Sequence, residues 1–175
     1  MYGNKFIEMV KYFGHNEVII HPICKSEKIS KNTVFILEKN IRKIHKKLLE
    51  HEVKLFLENN SIIDGFFNTV EDLSIVFNSN PDIGLLLDIA HINNYEHLNE
   101  IIKMRFPECI HIADKHFNIA HEHITLGEGD IDFENIFKNI IPHYNGRIIL
   151  EATETIDGIK KSKHVLDNIF NINNP

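Results

Sequence analysis

Five short apolar runs, each followed by a stretch with helical spacing, restrict this chain more than any other feature. The runs are EVIIHPI (17–23), KLFLEN (54–59), IGLLLDIAH (83–91), ECIHIAD (108–114) and RIILEA (147–152). They are apolar throughout rather than alternating apolar and polar. Strands of that kind are buried on both faces, as in a parallel sheet covered by helices. Apolar spacing predicts helices over about 3–14, 31–50, 69–78, 95–105, 132–141 and 155–170. Phe35, Ile36, Ile41, Ile44 and Leu48 mark the stripe of the second helix. Gly14 ends the first helix. Thr69 caps the third, with Asp72 in its first turn, and Asp132 caps the fifth. The order is α(βα)₅ in one domain, 1–175, with no repeat or low-complexity tract.

Composition narrows the function classes. With 43% apolar and 25% charged residues, a chain of 175 buries a real core and is not disordered. No apolar run reaches membrane-spanning length, and the N-terminal stretch is amphipathic rather than a signal peptide. Cys24 and Cys109 make no disulfide framework and no CxxC, so a reducing, cytoplasmic setting is expected. The net charge of −6 argues against a general nucleic-acid binder.

The chain has 12 His, and their positions matter more than their number. Every run carries a metal-type ligand at its C-terminal end: His21, Glu58, Asp88, His111 and Glu151. His91 follows Asp88 by three residues. In a parallel α/β barrel the strand C-termini converge on one face. One carboxylate after a strand is usually a helix cap, but five placements out of five are not explained that way. Burying Glu58 and Glu151 costs on the order of several kcal/mol unless something pairs with them. A divalent cation is an efficient partner, and mixed His and carboxylate ligands suit Zn²⁺ or Mn²⁺ alike. HEHITLGEGDIDF (121–133) is the most specific string. In an extended stretch His121 and His123 point to the same side. Its GEGD portion also reads as a plain turn before a helix.

The strings VIIHP, FLENN, LLLDIAH, IHIAD, HEHITLGEGDIDF and IILEATE, in this order, resemble the xylose-isomerase-like TIM-barrel superfamily. That group joins sugar isomerases and epimerases to the family-2 AP endonucleases, the endonuclease IV type. The resemblance runs over about 3–155. It implies that Glu58, Asp88, His111 and Glu151 hold a single metal in the isomerase and epimerase branch, with both glutamates as acid/base groups. It matches His21, His91 and His123 to further zinc ligands of the nuclease branch. His121 stands where that branch has Asp. A full barrel has eight strands, and the strand of His21 resembles the fourth. A partial barrel of five strands lacking the first three is therefore expected. Its open edges imply association with a second copy or a partner that completes the barrel.

Two activities follow from the resemblance. The first is a metal-dependent isomerase or epimerase of a small sugar or sugar phosphate, with one to three ions of Zn or Mn. Glu58 and Glu151 would move the proton on carbon, and Lys115 would contact substrate unless it is a solvated surface residue. The second is zinc-dependent phosphodiester hydrolysis at abasic DNA. The cluster Lys25, Lys28, Lys31, Lys39, Arg42, Lys43, Lys46 and Lys47 would then touch phosphates, although it also reads as a solvated helix face. An inactive barrel fragment is the third possibility. His97, His116, His143 and His164 read as surface residues. Asp114 reads as either a support for a ligand or a cap for the loop after it.

Overall fold

The five apolar runs form five parallel strands, adjacent in chain order. The computed structural model describes residues 2–24, 29–151 and 155–171, with side chains from Lys5 onward. The elements are α1 (Tyr2–Tyr12), β1 (Glu17–Ile20), α2 (Thr33–Leu49), β2 (Lys54–Glu58), α3 (Val70–Ser79), β3 (Gly84–Asp88), α4 (Tyr95–Met104), β4 (Cys109–Ile112), α5 (Phe133–Asn135), β5 (Arg147–Leu150) and α6 (Ile156–Ile169). A 3₁₀ turn, Ile89–His91, follows β3 directly, and α5 runs on into a π-helical turn, Ile136–Ile140. The sheet order is β1-β2-β3-β4-β5, parallel throughout.

Period-2 alternation sorts the strand residues into two rows. Leu55, Leu57, Leu85, Leu87, Ile110 and Ile112 join the main core with side chains from the helices. Phe56, Leu86 and Cys109 form a separate small cluster on the other face. Two residues further along this inner row stand Glu58, Asp88 and His111. The same step leads from Ile19 to His21 and from Ile149 to Glu151. The period that builds the inner face therefore also delivers the five candidate ligands to one end of it.

The sheet curls into a half-barrel. Arg147 of β5 pairs with Glu17 of β1 although three strands lie between them. The Arg147 guanidinium and the Lys54 ammonium both sit over the Phe56 ring, at 5.4 and 5.1 Å from its centre. Lys54 also pairs with Glu108. These charges cover the inner apolar cluster at the end opposite the candidate ligands.

Several sequence expectations are corrected. Burial on both faces holds for β2 and β3, but the edge strands are open on their inner face, with Ile19 and Ile149 about two-fifths exposed. The buried stripe of α2 is Val34, Ile41, His45 and Leu48, while Phe35, Ile36 and Ile44 are exposed. His91 lies on the turn after β3, not in the strand. His97 is buried, not superficial. Its Nε2 meets the Asn68 carbonyl at 2.8 Å, and its Nδ1 accepts from the Asn93 amide. The expected caps form: Thr69 accepts from the Asp72 amide and Asp132 from the Asn135 amide. No helix among the described residues is long and apolar enough to cross a membrane.

Candidate functional site

Glu58, Asp88, His111 and Glu151 each bring one ligand atom within 4.8 Å of the others. His91, His121 and His123 form a second such group. The two groups touch. His111 Nδ1 lies 3.4 Å from Glu58 Oε1 and 3.3 Å from Glu151 Oε2. Asp88 Oδ2 lies 3.4 Å from His91 Nδ1 and 3.7 Å from His123 Nε2, and Glu151 Oε2 lies 3.5 Å from His123 Nδ1. The His121 and His123 rings are 5.0 Å apart, centre to centre, as expected for residues two apart in an extended segment. His21 sits at the rim, exposed, with its ring 5.8 Å from that of His91. All eight ligand candidates are thus gathered at one end of the half-barrel.

Unmet hydrogen-bonding capacity marks the place. Among the described residues, six buried side-chain polar atoms lack a hydrogen-bond partner, and five belong to these candidates: Asp88 Oδ2, His91 Nε2, His111 Nδ1, His123 Nε2 and Glu151 Oε2. Buried polar atoms are rarely left so. The remaining atoms of the same groups are deliberately held. Asp88 Oδ1 accepts from the Ala90 amide at 2.7 Å. His91 Nδ1 meets the Asn59 carbonyl at 2.8 Å. A carbonyl only accepts, so the proton sits on Nδ1 and Nε2 keeps a bare lone pair, the form that binds metal. Asn59 also exchanges hydrogen bonds with the Asp88 backbone, locking the ends of β2 and β3 together. By both criteria, orphaned atoms and mixed N/O donors, the residues fit a divalent cation.

Electrostatics agree with such a centre. Burial, then the charges of Glu151 and Glu58, push the Asp88 carboxyl well above the usual range. Burial opposes the charge on His111, but the Glu151 and Glu58 carboxylates hold its pKa up to about 10. Burial would raise Glu151 as well, yet His111 draws it down to about 2. Glu58 is lowered in the same way, His111 outweighing burial. Burial lowers His91 to about 4, and lowers His123 too. Without metal, a protonated His111 therefore faces two ionised glutamates at 3.4 and 3.3 Å, paired by charge rather than by a formed hydrogen bond.

The loop bearing His121 and His123 hangs on Asp114. This fully buried carboxylate accepts from the backbone amides of Lys115, Gly127, Gly129 and Ile131. Its own backbone pairs with Ile124, next to His123. Gly129 is required here, because a Cβ would lie 2.4 Å from Asp114 Oδ1, and Gly127 adopts φ +86°. Of the two sequence readings, Asp114 is the loop cap, and through the loop it supports the ligands. Asp114→Asn should cost about 2–4 kcal/mol, since two amides then face an NH₂. Denaturation and amide exchange at Gly127 and Gly129 measure it; wild-type protection there refutes the clamp.

Other expected residues fall elsewhere. Lys115 is buried, not solvated. Lys31, Lys39, Arg42, Lys43, Lys46 and Lys47 flank or lie on α2 in the outer layer. The C-terminal turn of α2, with Lys46 and Lys47, lies at the far end from the site. Lys25 and Lys28 lie outside the described residues. The sequence reading missed Asn59, Asn60 and Asn68. The only signal for the first two was a pair of Asn directly after Glu58.

Residues 5–169 match the family of the xylose isomerase-like TIM barrel, and the chain belongs to that family. Three solved structures place the fold. A D-tagatose 3-epimerase-like protein is 24% identical, with a TM-score of 0.69 over 95% of this chain and 66% of that one. A family-2 AP endonuclease from Brucella melitensis is 17% identical, with a TM-score of 0.65 over 99% and 69%. A xylose isomerase-like TIM-barrel protein from Mycobacterium smegmatis, in complex with magnesium, is 12% identical, with a TM-score of 0.67 over 97% and 66%. The chain spans about two thirds of the length of these structures. No curated protein matches it.

Proposed function

We propose that this chain acts as a metal-dependent isomerase or epimerase of a small sugar or sugar phosphate, moving a proton on carbon. One observation carries the reading. Glu58 and Glu151 flank His111 from two sides, both held ionised, at a site with orphaned ligand atoms. Glu58, Asp88, His111 and Glu151 are the proposed ligands of one ion, Zn²⁺ or Mn²⁺. When bound, the cation supplies positive charge against the negative charge that develops on sugar oxygens. The two glutamates serve as proton acceptor and donor. Glu58 is nearly sealed, whereas the Glu151 side chain is one-third exposed and so is the group in easier exchange with solvent. The sugar-epimerase neighbour supports the choice of substrate, and the magnesium-bound neighbour supports a divalent ion. The edges of β1 and β5, unpaired among the described residues, support association with a second copy or a completing partner.

A second reading rests on the group His91, His121 and His123, which together with His21 supports two further zinc ions and phosphodiester hydrolysis at abasic DNA. The charge of −6 and the remote position of the α2 lysines weigh against it. The test is metal content of protein purified without added metal, then solvent-deuterium uptake at carbon in a panel of aldoses, ketoses and their phosphates. Uptake that falls about 10²–10⁴-fold in Glu58→Gln and Glu151→Gln is expected. Cleavage of abasic DNA with no uptake in any sugar overturns the first reading in favour of the second.

A further inference from the structure

The loops after β2, β3 and β4 line an open cavity of about 180 Å³. Its wall is formed by Ile62, Asn93, Lys115, Phe117 and the segment 118–120, without a single carboxylate. Ala120 leads directly into His121, and Asn93 follows His91 by two residues, so the cavity opens at the ligand-bearing end of the half-barrel. Lys115 is the one charged group in this wall and is 4% exposed. Its ammonium donates to the Ile92 carbonyl at 2.5 Å and lies 5.8 Å from the centre of the Phe117 ring. No ion pair joins it to a carboxylate among the described residues. One carbonyl uses one of three N–H donors. Asp88 acts on this ammonium through its charge without forming an ion pair; a buried ammonium that lacks a paired anion is costly, and a bound anion relieves that cost.

We propose that this cavity binds an oxyanion, the phosphate group of a phosphorylated substrate, with Lys115 as its charged anchor. The inference rests on the sugar reading above and narrows it to the phosphorylated members of that class. Phosphate held at Lys115 leaves the remainder of a short substrate directed toward Glu58 and Glu151. Two free N–H donors on Lys115 suit a tetrahedral group with several acceptor oxygens. Asn118 adds an amide to the same wall. A sugar acid would offer the same cavity a carboxylate, and the test separates the two.

The experiment is titration of metal-stripped protein with inorganic phosphate, followed by calorimetry, so that no cation contributes to anion binding. The variants are Lys115→Met, Lys115→Arg and Ile119→Asp. Ile119 is partly exposed in the cavity wall, so that change adds a negative charge without opening the core. Phosphate affinity should fall at least about tenfold in Lys115→Met and Ile119→Asp and be largely retained in Lys115→Arg. Acetate should bind more weakly than phosphate, and a sugar phosphate more tightly than the same sugar unphosphorylated. Equal affinity in wild type and Ile119→Asp, or no phosphate binding by wild type, overturns the proposal; tighter acetate binding replaces phosphate by carboxylate. If Lys115→Met does not fold, Ile119→Asp decides alone. Failure of the isomerase reading shows separately, as an absence of deuterium uptake in every sugar while phosphate binding still depends on Lys115.

Discussion

Asp88→Asn is expected to weaken divalent-metal binding more than about a hundredfold while leaving the metal-free protein as stable as wild type, or more so, at neutral pH. Changes to groups that merely orient ligands already cost about 10–100-fold, and Asp88 Oδ2 is itself an orphaned ligand atom between both clusters. The stability arm follows from the sign of its shift. The folded pKa of Asp88 stands above its unfolded value, through burial and two neighbouring carboxylates. Above the unfolded pKa, folding must therefore either take up a proton or bury a charge. Asn imitates the protonated acid in shape and still accepts from the Ala90 amide, so that cost disappears. Metal titration and thermal melts in the presence of chelator measure the two arms. Unchanged metal affinity removes Asp88 from the site. A collapse of metal-free stability shows that its role is structural.

Metal affinity should rise about tenfold per pH unit between pH 7 and about 10, while the metal-free fold loses stability over the same range. Both effects come from His111. Its folded pKa is raised to about 10, against about 6.5 when unfolded. The protonated ring thus contributes stability that is complete below about pH 6.5 and lost as pH climbs through 10. Each pKa unit corresponds to about 1.4 kcal/mol, so the loss across this window is on the order of a few kcal/mol. The metal needs the neutral ring and must displace its proton, which sets the tenfold slope. At the acid end Glu151 behaves oppositely. Its folded pKa of about 2 gives stability that is present above about pH 4.5 and lost as pH falls toward 2. Calorimetry in buffers of differing ionisation heat counts the released proton. An affinity that is flat above pH 7 shows that His111 is already neutral and that the bridge to the two glutamates is not an ion pair.

Much of this site was legible in the chain because two periodicities coincide there. Apolar runs such as LFLE and IILE can only be buried strands, and an acid at the end of a buried strand needs a partner. The spacing of two between His121 and His123 likewise predicts rings on one side, and their centres lie 5.0 Å apart. Lys115 and His97 were illegible for a common reason. Lys115 stands in a loop and His97 in the first turn of α4, where no apolar period reveals the environment of a polar side chain, and only the approach of Ile92 to the one and of Asn68 and Asn93 to the other supplies their buried partners. The exposure of Phe35 and Ile36 has the same origin, since α2 packs through Val34, Ile41, His45 and Leu48 instead.

Local chemistry alone therefore determined the α/β order, the strand direction, the caps at Thr69 and Asp132, and which residues stand at the strand ends. These depend on neighbours within a few positions in the chain. Tertiary structure decided that the sheet curls far enough for Arg147 to reach Glu17, that His111 lies between Glu58 and Glu151, and that Asp114 gathers four amides of one loop. Those relations join groups far apart in sequence, and no short window of residues encodes the curvature and closure that bring them together.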